Sequence, residues 1–166
     1  GVDISGLTNA MKKLTDPEEE RVKIWFLLDR SGSMQGLTED VIGGFNQFVT
    51  DQAAKPGKAR LTAVQFDGGD PFEVIIDAKR IGKIPALTSE IYQPRSVTPL
   101  YDAVGRLIAT ADQRIASREE HQSLEEDQLV IVFTDGLENA SRKFSRNNVF
   151  DLIKARMDAG WTFVFM

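Results

Sequence analysis

A short oxygen-rich segment, Asp29-Arg30-Ser31-Gly32-Ser33, carries the residues of this chain that are best suited to chemistry. It offers one carboxylate and two hydroxyls at alternate positions, so all three can turn towards one point. Its glycine lets the backbone fold tightly behind them. Oxygen ligands without nitrogen or sulfur suit a hard cation, Mg²⁺ in particular. The segment therefore indicates a site for a small divalent cation.

Two apolar runs place candidate carboxylates at one edge of a sheet. Residues 22–28 and 129–133 are almost unbroken apolar runs, which are typical of strands buried on both faces of a parallel sheet. Asp29 follows the first run and Asp135 closely follows the second. Since open α/β sheets hold ligands at the carboxyl ends of their strands, we expect the two side chains to lie close together. Two carboxylates that close repel each other unless a cation or shared protons lie between them.

Each candidate ligand, taken alone, also has an ordinary structural explanation. Asp29 can be a strand-end turn residue, and Asp135-Gly136 is a common turn dipeptide. Thr98, followed by Pro99, is expected to cap the N-terminus of a helix on the same rim. The joint occurrence of these residues on one rim favours a site over three unrelated turns.

The remaining pattern alternates strands with helices. It predicts strands at 22–28, 61–66, 72–76, 129–133 and 161–166, and helices at about 37–53, from Thr98 to about 115, and from an Asn148 cap to Gly160. A lead-in helix at 4–14, an acidic turn at 16–20, a loosely helical connection at 79–92 and a charged connection at 117–127 complete the prediction. The fold class is α/β, with a doubly wound, mostly parallel sheet and one antiparallel edge strand.

Composition excludes several function classes. The 166 residues suit one domain, and a net charge of −5 argues against a generic nucleic-acid surface. The absence of cysteine excludes disulfides and thiolate metal sites, and no apolar run approaches a membrane span. Without a signal peptide, the chain is expected to be cytoplasmic. The single histidine, His121, lies in a polar stretch, which disfavours histidine-based catalysis.

At this point the residues resemble a known family. Asp29, Ser31, Ser33, the later Thr98 and the later Asp135 resemble the metal-ion-dependent adhesion site of von Willebrand factor A (vWA) domains, with all five positions intact. The segments 98–103 and 134–136 resemble the sequence style of bacterial vWA domains. The resemblance covers nearly the whole chain in element order, and it implies one Rossmann-like domain over residues 1–166.

The resemblance also implies how the metal is held. Ser31 and Ser33 would bind Mg²⁺ or Mn²⁺ directly, Thr98 directly or through water, and Asp29 and Asp135 mostly through bound water. A cation held largely by neutral oxygens keeps much of its charge, so it attracts a carboxylate that completes its octahedral shell. The expected function is non-enzymatic, metal-dependent binding of an Asp or Glu of a partner protein.

Two further expectations concern surfaces. Loop position suggests that Arg30, Met34, Gln35, Glu138 and Asn139 form the rim that selects the partner. The family's sheet usually continues with a sixth strand and a final helix after the strand that corresponds to 161–166, and we expect both to be missing here. Either the chain is a fragment, or something else covers that strand. An apolar edge strand without a cover is expected to cause oligomerisation, strand exchange or poor solubility.

Two alternatives remain open from sequence. A metal-dependent phosphohydrolase or phosphotransferase could use Asp29 as its nucleophile, but such enzymes typically need a second Asp where this chain has Ser31. No lysine stands in an obvious phosphate-holding context either. In the other alternative, the chain is a structural domain with a vestigial site.

Overall fold

The computed structural model describes residues 22–55, 59–117 and 127–166. The β-strands of these ranges are β1 (Val22–Asp29), β2 (Ala59–Phe66), β3 (Glu73–Arg80), β4 (Asp127–Phe133) and β5 (Thr162–Phe165). The α-helices are α1 (Thr38–Ala53), α2 (Leu100–Ala116) and α3 (Arg146–Asp158), with short 3-10 helices at Gly32–Leu37 and Ile81–Lys83. The expected helix at 4–14, the acidic turn at 16–20 and most of the connection at 117–127, with His121, lie outside the described residues.

The five strands form one sheet in the order β3-β2-β1-β4-β5. β1 pairs in parallel with β2 and β4, and β5 pairs in parallel with β4. β3 pairs antiparallel with β2 and forms one edge. The predicted doubly wound α/β fold with a single antiparallel edge strand is thereby confirmed. The position of β1 at the centre of the sheet explains its continuous apolar run.

The core lies on both faces of this sheet. Helix α1 covers one face, where Phe26 meets Phe45 and Phe48 edge-on at ring-centroid distances of 4.8 and 5.3 Å. Phe26 also stacks on Phe133 of β4 at 6.0 Å. Helices α2 and α3 cover the opposite face, where Leu27 lies fully buried. Alternate β1 residues therefore anchor opposite layers, and each fully buried side chain of this size stabilises the fold by roughly 1.5–3 kcal/mol.

The segment 79–92 was predicted to be loosely helical, and this prediction is wrong. β3 extends to Arg80, and the only regular structure that follows before α2 is the 3-10 turn at Ile81–Lys83. Ile81, Leu87 and Tyr92 are buried against the core. Their spacing therefore reflects three anchoring points of an irregular segment rather than one face of a helix.

Two predicted helix caps are also wrong. Helix α2 begins at Leu100 with Pro99 at the N-cap, and no side chain caps it. Thr98 instead lies before the helix. Helix α3 is capped by Ser145, whose hydroxyl accepts from the backbone N–H of Asn148, while the Asn148 side chain bonds back to Ser145. Asn148 is thus the third helical residue of a capping box rather than the cap itself. No helix within the described ranges is both long and apolar enough to cross a membrane.

Candidate metal centre

The first loop, residues 29–33, brings three candidate ligands together. Asp29 ends β1 with no exposed surface, and its Oδ1 accepts from the backbone N–H of Ser31 at 2.8 Å. The Ser31 hydroxyl lies 3.1 Å from the hydroxyl of Ser33. The 3-10 turn that follows closes this loop, since the Met34 N–H donates to the Ser31 carbonyl at 2.9 Å. Local hydrogen bonds thus draw the carboxylate and both hydroxyls towards one point.

The second loop, residues 93–98, runs alongside the first. The Gly32 N–H donates to the Ser96 carbonyl at 3.0 Å, which fixes the two backbones against each other. Ser96 has φ +64°, a left-handed conformation that costs a non-glycine residue roughly 1–3 kcal/mol. Two positions later, Thr98 is buried, with 3% of its surface exposed. This backbone contact therefore places the second loop, two positions before the buried Thr98, against the glycine between the two serines.

The third loop, residues 134–145, joins both others. The Thr134 hydroxyl donates to Asp29 Oδ2 at 2.8 Å. Asn139 makes a reciprocal pair with Thr98: its Oδ1 accepts from the Thr98 N–H at 2.8 Å, and its own N–H donates to the Thr98 carbonyl at 3.1 Å. The Asp135 carboxylate accepts from the Leu137 N–H at 3.1 Å. The five candidate ligands thus lie on three loops that are hydrogen-bonded to one another.

Two carboxylates fasten the third loop to the start of α2. Asp102 accepts from the backbone N–H groups of Arg142, Lys143 and Phe144 at 2.8, 2.9 and 2.9 Å. Glu138 accepts from the Tyr101 N–H at 3.1 Å. These bonds satisfy backbone donors that have no partner within a strand or helix, so they set the course of a loop that lacks regular structure.

The electrostatics of the centre favour a cation. Burial raises the pKa of the Asp29 carboxyl, hydrogen bonds from Ser31 and Thr134 oppose this shift, and the charge of Asp135 raises the pKa further. The Arg30 guanidinium does not offset these charges, because it donates to Glu73 at 2.9 Å and to the Gln93 carbonyl at 3.1 and 3.0 Å. A positive ion between the carboxylates would stabilise both in their ionised form.

The donor set fits a hard divalent cation. It consists of two carboxylates and three hydroxyls, the oxygen ligands that Mg²⁺ and Mn²⁺ accept. Across the part of the chain that the structure describes, no three His, Cys, Asp or Glu side chains are grouped to hold a metal. Since Asp29 and Asp135 are only two acidic groups, a metal here would depend on Ser31, Ser33 and Thr98 for its other protein ligands.

The expected rim of the site is wrong for two of its five residues, and selection of a partner by the other three stays a prediction. Arg30 and Met34 are 5% and 2% exposed, because Arg30 turns towards Glu73 and Met34 packs in the core beneath α1. Glu138 and Asn139 use their side chains to hold the second and third loops and the start of α2. Gln35 alone of the five is an exposed residue whose side chain has no such role.

Sequence reasoning missed two residues that support Asp29. The hydroxyl of Tyr92, which is fully buried, donates to the Asp29 carbonyl. Tyr92 lies 63 positions away in an irregular segment, so no local signal marks it. Thr134 stands directly after an apolar strand and directly before Asp135, and this position was the available signal.

Comparisons with known proteins bear on the fold. No protein-family model matches the chain, and no curated protein sequence matches it. Among solved structures, it resembles the manganese-loaded TRAP protein of Plasmodium vivax, with 17% identity, a TM-score of 0.57, and 88% of this chain and 56% of that chain covered. It also resembles the pilus adhesin SpaC of Lactobacillus rhamnosus GG in its open conformation, with 12% identity, a TM-score of 0.63, and 91% and 24% covered. A third is proximal thread matrix protein 1 of the mussel byssus, with 15% identity, a TM-score of 0.54, and 89% and 38% covered.

These comparisons support a vWA-like fold. The chain spans between 24% and 56% of the length of these three chains. At identities of 12–17%, the likeness concerns the arrangement of strands and helices rather than the site. The sheet order, the antiparallel edge strand and the helices on both faces agree with the fold that the sequence resemblance implies.

Proposed function

We propose that this domain is a divalent-metal-dependent protein-binding module. Mg²⁺ or Mn²⁺ at Asp29, Ser31, Ser33, Thr98 and Asp135 would bind an acidic residue of a partner protein. The observation that carries this proposal is the set of hydrogen bonds that links all three loops around the buried Asp29 carboxylate. The manganese-loaded TRAP protein and the pilus adhesin SpaC, which share the fold, agree with such a role.

The surroundings of each candidate ligand determine what it would contribute to metal binding. The hydroxyls of Ser31 and Ser33 lie 3.1 Å apart, which allows both to face one ion. Asp29 is fixed from two sides by Ser31 and Thr134, so it supplies negative charge at a set position. When bound, the cation supplies positive charge that attracts a carboxylate of the partner. Ser33 is exposed, which leaves the ion open to that partner.

Titration calorimetry with Mn²⁺ and Mg²⁺ tests the metal site. Asp29→Asn and Ser33→Ala should each abolish detectable binding, because each removes a charge or an oxygen donor from the ion. The matched controls Asp158→Asn and Ser117→Ala, at exposed positions near the C-terminal ends of α3 and α2, should bind like the unchanged chain. Equal binding by all four variants, or no binding by the unchanged chain, would contradict the proposal.

The phosphoryl-transfer alternative gains no support from the geometry. The position at which such an enzyme would place its second Asp is Ser31, whose hydroxyl is paired with that of Ser33. The adjacent guanidinium of Arg30 is engaged with Glu73 and Gln93. Metal-dependent phosphate release from p-nitrophenyl phosphate that is lost in Asp29→Asn would favour the enzyme instead.

We also propose that β5 can pair with a second copy of the chain. Among the residues that the structure describes, β5 forms the edge of the sheet beyond β4, and Phe165 is 53% exposed on it. A short apolar edge strand offers N–H and C=O groups for further pairing. Phe165→Lys should shift the chain towards the monomer in size-exclusion chromatography with light scattering, while Met157→Lys on α3 should not. A monomer at high concentration before any substitution would contradict this proposal.

A further inference from the structure

Three exposed apolar residues lie within a few positions of candidate metal ligands in the chain. Leu37, Val97 and Leu137 are 37%, 46% and 58% exposed, and we call them the apolar collar. Bulky apolar side chains that share one exposed region indicate an interaction surface more often than isolated ones do. The collar is therefore a candidate contact surface for whatever binds at the metal.

Val97 and Leu137 each belong to a loop that carries a candidate ligand. Val97 directly precedes Thr98, and Leu137 follows Asp135 by two positions and donates its N–H to that carboxylate at 3.1 Å. Successive Cα atoms are about 3.8 Å apart, so both side chains start within roughly 8 Å of a ligand residue. Neither apolar residue can lie far from the ion that the loops would hold.

Leu37 lies at the end of the short helix that begins within the first loop. It ends the 3-10 helix Gly32–Leu37, of which Ser33 is the second residue. A 3-10 helix rises about 2 Å per residue, so Leu37 lies about 8 Å along the axis from Ser33. Each member of the collar thus belongs to, or directly follows, a chain segment that carries a candidate ligand.

Val97 is held in place while part of its surface stays open. Its carbonyl accepts from the Gly68 N–H at 2.9 Å. A Cβ atom at Gly68 would come within 2.3 Å of Val97 Cγ2, so the glycine is what allows this close approach. The valine side chain is thus packed on one side against the loop between β2 and β3, and its remaining surface is available to a partner.

We infer that the partner presents an Asp or Glu flanked by bulky apolar residues. This inference rests on the proposed function, since it specifies the ligand of that same site. A cation between Asp29 and Asp135 complements a carboxylate, and the Arg30 guanidinium is turned away from the centre. The collar adds apolar surface around that charge, so a ligand gains further affinity when its flanking side chains leave water on contact.

Surface-immobilised peptides with one central Asp in a Gly-Ser background provide the test. One set carries Leu on both sides of the Asp, and the other carries Ser. In Mn²⁺ the Leu-flanked set should bind the unchanged chain at least about tenfold more tightly. Leu137→Ser should reduce binding of the Leu-flanked set about tenfold and Val97→Ser about threefold. Neither substitution should change binding of the Ser-flanked set.

Met157→Ser is the matched control. Met157 is 54% exposed, close to the 58% of Leu137, but it lies near the C-terminal end of α3, away from the carboxyl ends of the parallel strands. It should leave peptide binding unchanged. Thermal melts and Mn²⁺ titrations of each variant should match the unchanged chain, which separates loss of contact from loss of fold or metal.

The outcomes separate this inference from the proposed function. EDTA-sensitive binding that is equal for Leu-flanked and Ser-flanked peptides would overturn the inference and leave the metal-dependent function standing. The same loss of binding in Leu137→Ser and Met157→Ser would also overturn it. Peptide binding that EDTA does not reduce, or no binding of either peptide set, would overturn both the inference and the proposed function.

Discussion

The first and third loops of the candidate metal centre are fixed in different ways. In the first loop, Asp29, Arg30 and Ser31 are 0%, 5% and 1% exposed and lie directly at the end of the central strand. The third loop is largely exposed around Gly136 and Leu137, and carboxylates hold it through its backbone N–H groups. Burial therefore sets the position of one half of the site, and hydrogen bonds set the position of the other half.

This difference predicts different responses to substitution. A buried polar group that loses its partner cannot turn to water, so a change in the first loop should cost folding stability. A loop that is held by exposed hydrogen bonds can exchange them for water at about 1 kcal/mol each. Changes in the third loop should therefore cost less stability than changes in the first loop, and those that free Thr98 should also lower metal affinity.

The largest effect is expected for Arg30→Met. The substitution removes one donor to the Glu73 carboxylate, which also accepts from the Gln65 side chain, and two donors to the Gln93 carbonyl. The Arg30 side chain is only 6% exposed. We expect a loss of about 2–3 kcal/mol in the free energy of unfolding, measured by urea denaturation. Asp77→Asn, which breaks an ion pair between side chains that are 40% and 63% exposed, should cost less than about 1 kcal/mol. Equal losses would contradict the role assigned to burial.

A smaller loss of stability with a clear loss of metal affinity is expected for Asn139→Leu. The buried Thr98 N–H loses its acceptor, which costs about 1–2 kcal/mol, and the Thr98 hydroxyl loses its fixed position. Mn²⁺ affinity should fall about tenfold by calorimetry, the equivalent of about 1.4 kcal/mol. Asn139→Asp keeps an acceptor and should retain the metal, and the exposed Asn147→Leu should change neither quantity. Unchanged affinity in Asn139→Leu would show that Thr98 is positioned without this pair.

The smallest effect concerns the end of the third loop. A Cβ atom at Gly105 of α2 would lie 2.6–2.7 Å from ring atoms of Phe144, so Gly105→Ala must displace this ring. Overpacking destabilises the fold by about 1–3 kcal/mol, whereas the higher helix propensity of alanine stabilises it by about 1 kcal/mol. We therefore expect a net loss of about 1 kcal/mol in the free energy of unfolding. Gly43→Ala in α1, where a Cβ would meet nothing within 4 Å, should stabilise instead. Thermal melts of both variants give the comparison, and two changes of the same sign would contradict it.

Much of the fold was predictable because its signals are local. The apolar runs that became β1 and β4 are continuous, and their burial on both faces follows from that pattern alone. The antiparallel edge strand was predicted from the turn that precedes it, although β3 extends to Arg80 and its pairing with β2 contains register shifts. The positions of the five candidate ligands followed from motif spacing, whereas their use as metal ligands stays a prediction.

The sequence by itself determined the central strands, the alternation of strands with helices and the rim on which the candidate ligands stand. It did so because hydrophobic periodicity acts over a few residues, and because the carboxyl ends of parallel strands lie on one rim of a sheet. The tertiary structure alone decided that Arg30 turns to Gln93, that Tyr92 supports Asp29 and that Asn139 holds Thr98. These partners lie 63, 63 and 41 positions apart. No local pattern encodes such contacts, because they exist only after the sheet has brought the three loops together.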